Sequence, residues 1–222
     1  MAGGPGRRRP AAGRDRPGGE PDGSGRGGVA PQTRRLRIVV ASAVYEWQFP
    51  WVWTEGDVGA LPEDGHRYEI FDGCLVMTPP GDEGHQGVMG GLAFRLRQAA
   101  LRGCRIRTNL GLRLNRASLV PDIVVLRPDG VRDEEWTPAA DALLVVEIAS
   151  RSTEMNDRGS KPLYYAEAGI PVYWRIARDG SLHVYELLDG PEYTVTTVVH
   201  PGETWATDYP FPMTLDPADL TD

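Results

Sequence analysis

Lysine is almost missing from this chain of 222 residues: of its 24 basic residues only Lys161 is not arginine. The Ala, Gly and Pro content is also high, as expected of a GC-rich coding sequence. In that background a surface position that tolerates either cation is written as Arg. A surviving Lys therefore marks a place where a compact ammonium serves and a planar fork does not, chance survival of one surface lysine being the bland alternative.

Cysteine is scarce too. Cys74 and Cys104 form no CxxC pair and no metal-finger spacing, which excludes a disulfide framework and a zinc site and suits a reducing, cytoplasmic setting. Long apolar runs are lacking: Ile38 to Val44 is far too short to span a bilayer, and the arginines ahead of it are not followed by a signal-type core. The expectation is a soluble protein with no membrane partner. No GxSxG elbow is present and neither Cys adjoins a His, so nucleophilic catalysis finds no support. Gly23 to Gly28 (GSGRGG) has neither a strand pattern before it nor a helix pattern after it, so it is not read as a phosphate loop.

What is present is unevenly charged. The net charge is −7, yet residues 1–37 carry nine Arg against three acidic residues, leaving 15 basic and 28 acidic residues in the remainder. Residues 1–35 are rich in Gly, Pro and Arg and too poor in apolar groups to offset the entropy of ordering, so they are expected to be a disordered tail. The rest, from about Trp53 to Asp222, has the length of a single domain.

Periodicity outlines that domain. Thr54 can cap a short acidic helix over 55–60. Tyr68–Phe71 and Cys74–Met77 flank Asp72-Gly73, a type I′ hairpin signal, so Glu69 lies on a strand. Val88, Leu92, Leu96 and Ala99 recur at helical spacing between His85 and Arg102, with Gly103 as a stop. Leu110, Leu112 and Leu114 alternate as a half-buried strand. Pro121–Leu126 and Ala142–Ile148 are unbroken apolar runs of the kind found in strands covered on both faces. A helix from about Lys161 to Ala168 ends at Gly169. Val172–Ile176, Leu182–Leu188 and Tyr193–Val199 read as strands, the last two joined at Asp189-Gly190. The order implies an α/β (α+β) fold built on a mixed sheet with helices packed on it, flanked by β-hairpins.

Both central strands bear a carboxylate, Asp122 at the start of one and Glu147 near the end of the other. A carboxylate on a buried strand costs several kcal/mol (roughly) unless a cation or metal compensates it. If the strands are neighbours, the two can share one hard cation such as Mg²⁺ or Mn²⁺, with the Ile148 carbonyl and waters adding oxygens. Such an ion polarises a phosphoryl oxygen and lowers the pKa of a water, and a nearby ammonium, for which Lys161 is the only source, stabilises developing charge. The alternatives are structural. Asp122 in a Pro-Asp pair can cap a strand entry, Glu147 can pair with an arginine such as Arg113, Glu69 can face solvent, and His85 can cap or orient its helix.

Taken together, YEIFDG (Tyr68 to Gly73), His85 opening a helix, VPDIVVL (Val120 to Leu126), LLVVEIASRST (Leu143 to Thr153), DRGSK (Asp157 to Lys161) and YYAEAGIPVYW (Tyr164 to Trp174) resemble the Uma-type restriction endonuclease family, over roughly residues 53–200. That family belongs to the PD-(D/E)xK nucleases. The resemblance implies a restriction-endonuclease-like core, a divalent-metal (Mg or Mn) endonuclease site, DNA as substrate and a homodimer. Residue by residue, it implies that Asp122 and Glu147 are metal ligands and that Lys161 is the motif lysine, moved onto the following helix because Ala149 stands at its usual place. Glu69 would be an additional active-site carboxylate and His85 an accessory group.

Two departures stand out. Arg151 replaces the usual Pro of an SPST-like segment. Pro162 follows Lys161 directly, and proline is tolerated only in a helix's first turn, which predicts a helix starting at Lys161 with Ser160 as its N-cap. A lysine misplaced by Pro162 would mean a non-catalytic binding or assembly module that kept the fold. The acidity of the body opposes binding of a polyanion; Arg95, Arg97, Arg102, Arg105 and Arg107 offer local positive charge. The arginines of the tail are either a sequence-independent tether or an extension with no role.

Overall fold

In the computed structural model, the described residues are 33–40, 43–131, 135–150 and 159–220, with backbone alone for those before Pro50. Strand pairing starts at Thr33, inside the stretch expected to be tail. β1 (Thr33–Val40) and β2 (Ala43–Pro50) form an antiparallel hairpin in which Val39 faces Val44. The β-branched and aromatic residues of these two runs favour pairing despite the Arg-rich surroundings. The tail expected over the first 32 residues lies outside the described residues.

After α1 (Glu55–Val58), capped by Thr54 as expected, come β3 (Arg67–Phe71) and β4 (Cys74–Thr78). Asp72 and Gly73 take φ values of 47° and 78°, as a type I′ turn requires. Next are α2 (Glu83–Ala99), β5 (Arg105–Thr108), β6 (Gly111–Arg113), β7 (Ala117–Leu119) and β8 (Ile123–Leu126). β9 (Trp136–Pro138) and β10 (Ala142–Ile148) precede α3 (Ser160–Glu167) and β11 (Val172–Ile176). The chain closes with β12 (Leu182–Glu186), β13 (Thr194–Val199) and the short pair β14 (Trp205–Thr207) and β15 (Met213–Leu215).

Two sheets hold the fold together. The larger has the order β13-β12-β11-β10-β8-β5, with β10 and β11 parallel and the other neighbours antiparallel; the smaller runs β4-β3-β7-β6-β9. This is the mixed sheet expected from the sequence, with a second sheet beside it. Strands β5, β7, β9, β14 and β15 are three or four residues long, too short to show a period. The link between β12 and β13 spans residues 187–193, longer than the two-residue turn that Asp189-Gly190 suggests.

The central strands are covered on both faces, as their unbroken apolar runs demand. Ile123, Val125, Leu144, Val146 and Trp174 pack in one core cluster with Leu92 and Leu96 of α2. Val124, Leu126, Val145 and Tyr173 pack in the other with Tyr165 of α3 and with Leu112 and Leu119 of the smaller sheet. Each fully buried Val or Leu contributes roughly 1.5–3 kcal/mol relative to exposure. The buried stripe of α2 is His85, Met89, Leu92, Ala93 and Leu96, turned from the expected one so that Val88 and Ala99 sit at its margin and His85 at its head.

Gly91 of α2 is where the C-terminal 3₁₀ turn (Pro217–Leu220) docks: a Cβ there would lie 2.8 Å from the Leu220 carbonyl oxygen. At an open helical position Gly→Ala stabilises by about 1 kcal/mol. Here Gly91→Ala is expected instead to lower stability by about 1–3 kcal/mol, as overpacking does. Urea unfolding checks this, and a gain in stability would show that the turn does not dock on this glycine.

Candidate active site

The face that meets α3 and the smaller sheet carries the two strand carboxylates. Side chains alternate along a strand, so Glu147 shares its face with Val145 and Asp122 shares its face with Val124. β8 and β10 are antiparallel with Val146 opposite Ile123. One step further along that register brings Glu147 and Asp122 side by side, at the point where the chain passes from β7 of the smaller sheet into β8 of the larger. Both are about 1% exposed.

Asp122 is held from three sides. The Ile148 amide donates to Oδ2 at 2.6 Å, Arg67 Nη2 donates to Oδ1 at 2.7 Å, and His85 Nε2 lies 3.2 Å from the same oxygen. Burial works to raise its pKa, but the hydrogen bond from His85, the charge of Arg67 and the Ile148 amide outweigh it and hold the carboxyl down at about 2. His85 enters as the third residue of α2, whose N-cap Asp82 accepts from the His85 amide. Gly81 lies so close beneath the imidazole that a Cβ would collide with it.

Glu147 receives Lys161 Nζ at 2.9 Å and the Tyr165 hydroxyl at 2.6 Å, both on Oε1. Lys161 Nζ also contacts Glu69 Oε1 at 3.0 Å, and the Val120 amide donates to that oxygen at 2.9 Å. Pro162 therefore does not misplace the lysine. It occupies the first turn of α3, where no intrahelical N–H is needed. The helix begins one residue earlier than expected, with Gly159 rather than Ser160 at the cap position. Lys161 and Tyr165, four residues apart, share one helix face and point at the same carboxylate. Burial, and then Glu147 and Glu69, push the Tyr165 hydroxyl well above its ordinary value, which keeps it a donor.

All five residues singled out from the sequence, Asp122, Glu147, Lys161, Glu69 and His85, thus gather at one place. The solvent-facing alternative for Glu69 fails, since it is about 1% exposed. Arg113 is not the partner of Glu147; it forms a bidentate pair with Glu55. Sequence reasoning missed Arg67 and Tyr165. Arg67 stands two residues before Glu69 on β3, hence on the same face, and Tyr165 is one helical turn beyond Lys161; both spacings were legible. Burial lowers the pKa of Arg67, but Asp122, Glu147 and Glu69 raise it further, so it remains a cation throughout.

Residues 151–158, including Arg151, lie outside the described residues. Of the arginines expected to form a local positive cluster, Arg95 pairs with Asp219 at 3.0 Å and Arg105 donates to the Val131 carbonyl, while Arg97, Arg102 and Arg107 are exposed. Cys74 and Cys104 are free thiols, and among the described residues no helix is long and apolar enough to cross a membrane.

With this geometry in view, the sequence profile of the Uma2 family, described as "Putative restriction endonuclease", matches residues 57–219. The chain belongs to the Uma2 family. A solved structure described as "a putative nuclease belonging to DUF820" from Anabaena variabilis ATCC 29413 is 19% identical, with a TM-score of 0.59 over 74% of this chain and 95% of that one. The shared architecture is the restriction-endonuclease-like α+β fold. No curated protein matches the chain. Every one of the gathered side chains falls within the stretch matched to Uma2.

The depressed pKa of Asp122 has a sign. The folded carboxyl, at about 2 against an ordinary 3.8, binds its proton less readily than the unfolded one. Its contribution is therefore fully present above the unfolded value and is lost as pH falls through the folded one, a difference of roughly 2–3 kcal/mol. Asp122→Asn is expected to flatten the loss of stability between about pH 4 and pH 2 in urea unfolding. An unchanged slope would mean that Asp122 is not held in this way.

Proposed function

We propose that this Uma2 protein is a divalent-metal-dependent DNA endonuclease that hydrolyses phosphodiester bonds through a PD-(D/E)xK-type site. The observation that carries the reading is the contact of the Lys161 ammonium with both Glu147 and Glu69, 2.9 and 3.0 Å away, next to a second buried carboxylate on the neighbouring strand. Buried charge at this density is expensive to maintain as structure alone, and its concentration at one seam is typical of a site with a task.

The donor set fits a hard cation of the Mg²⁺ type. Among the described residues no three His, Cys, Asp or Glu side chains form a ready-made cage, but Mg²⁺ is commonly bound by one or two carboxylates and otherwise by water and substrate oxygens. Asp122 Oδ1 and Glu147 Oε2, the two oxygens that face the Arg67 guanidinium, would hold it, the companion oxygens taking the Ile148 amide on one side and Lys161 and Tyr165 on the other. When bound, the ion supplies the charge that polarises a phosphoryl oxygen and makes a water acidic enough to attack.

The chain's own residues do the rest. Lys161 places a fixed positive charge where the attacked phosphorus gathers negative charge, a role worth about 10²–10³ in rate for comparable donors. Glu69, itself anchored by the Val120 amide, holds that ammonium in place. Tyr165 fixes the rotation of the Glu147 carboxylate. The exposed Arg97, Arg102 and Arg107 and the arginine-rich first 37 residues offer sequence-independent contacts to the phosphate backbone.

Purified protein is expected to nick or cleave supercoiled plasmid in Mg²⁺ or Mn²⁺ and to be silent in EDTA. Glu147→Ala and Lys161→Ala should each reduce the rate by roughly 10²-fold or more. Wild type and both variants equally inert on duplex, single-stranded and branched DNA would contradict the reading.

A further inference from the structure

The two oxygens assigned to the cation already have a cation against them. Arg67 Nη2 lies 2.7 Å from Asp122 Oδ1, and its Nη1 lies 3.9 Å from Glu147 Oε2. A hard divalent ion requires its carboxylate oxygens at roughly 2.1 Å, in the space the guanidinium now fills and on the Asp122 lone pair that it uses. His85 Nε2 flanks the same Asp122 oxygen at 3.2 Å. Ion and guanidinium compete for one position.

We propose that Arg67 is a placeholder cation: it neutralises the Asp122–Glu147 pair in the metal-free protein, is displaced when a divalent cation binds, and then offers its guanidinium to a phosphodiester oxygen of the substrate. The inference rests on the metal-dependent reading above and adds a regulatory cost to it. Apparent metal affinity is lowered by the fraction of molecules in which Arg67 still occupies the position.

Charge balance supports the exchange. Glu69, Asp122 and Glu147 are each about 1% exposed, and among the described residues, with Lys161 and Arg67 against them, one negative charge is left over. A divalent ion taken up beside an unmoved Arg67 leaves one positive charge, whereas a divalent ion taken up with Arg67 withdrawn leaves none. A buried site favours the neutral arrangement.

Arg67 also has somewhere to go. It is the first residue of β3, its side chain is 15% exposed, and it lines an open cavity of about 550 Å³ together with Tyr68, Gln86, Asn109 and Trp136. Two neutral acceptors already stand along the way: the Val120 carbonyl takes Nη1 at 3.0 Å, and Asn109 Oδ1 lies 3.5 Å from Nη2. At 3.9 Å the Glu147 contact is an ion pair without a hydrogen bond, so the fork is not committed to both carboxylates at once. Freed from them, a planar fork of donors matches a phosphodiester oxygen pair better than an ammonium would.

Isothermal titration of the full chain with Mn²⁺ compares wild type with Arg67→Met, which keeps the apolar stem and removes the charge. The variant is expected to bind Mn²⁺ at least tenfold more tightly while binding duplex DNA more weakly in Ca²⁺. Equal or weaker Mn²⁺ binding is what a merely structural Arg67 gives, and it overturns the proposal. Because Arg67→Met removes a cation from beside two buried carboxylates and could fail to fold, wild-type protein supplies a second readout. The assigned Arg67 Nε–H resonance is expected to shift with occupancy during a Mg²⁺ titration; an unmoved resonance while the ion binds also overturns the proposal. If wild type takes up neither ion, the metal-dependent reading falls and the placeholder with it, whereas uptake without any effect of Arg67 sinks the placeholder alone.

Discussion

Three carboxylates are enclosed at one seam of this protein, and keeping them charged is the constraint that the surrounding structure answers. An isolated carboxylate in such a place would take up a proton or forbid the fold. Glu69, Asp122 and Glu147 instead receive donors from five separate elements: Arg67 on β3, the Val120 amide after β7, His85 on α2, the Ile148 amide on β10, and Lys161 with Tyr165 on α3. Because these donors are spread over both sheets and both longer helices, the site exists only when all of these are in place.

The topology explains why the seam can be built at all. The chain leaves the smaller sheet at β7 and enters the larger one at β8, so the intervening Pro121-Asp122 must lie where the two sheets meet. β3, held to β7 by the pairing of Ile70 with Ser118, then presents Arg67 and Glu69 toward the same place. On the other side, β10 runs between β8 and β11, and α3, which connects β10 to β11, returns Lys161 over the sheet face that bears Glu147. A parallel β10–β11 pair requires such a crossover, and the crossover is what delivers the lysine.

Much of this was legible in the sequence, for reasons that differ by residue. Glu147 stood out because charge on an unbroken apolar run has a cost, Asp122 mostly through the family resemblance, and Lys161 because lysine is otherwise missing. The Asp72-Gly73 turn and the central strands followed from turn chemistry and burial. Arg67 and Tyr165 escaped although their spacings put them beside known candidates, since in an arginine-rich chain one more arginine carries no compositional signal and a tyrosine in a YYAEAG run looks like core. The strands of three or four residues had no period to read. Leu92 and Leu96 of the expected α2 stripe are core, but His85, Met89 and Ala93 complete it while Val88 and Ala99 sit at its margin, because the stripe is set by how the helix crosses the sheet. The paired hairpin that starts at Thr33 was hidden by its basic flank.

The proposed function stands or falls on Asp122 and Glu147 together forming a cation site beside Lys161. Crystals soaked in Mn²⁺ and measured at the manganese absorption edge address it without reference to turnover. The expected result is a single strong anomalous peak bonded to one oxygen of Asp122 and one of Glu147, with the Arg67 guanidinium no longer between them. A fully soaked crystal with no anomalous peak at the seam, and Arg67 still paired to Asp122, would contradict it.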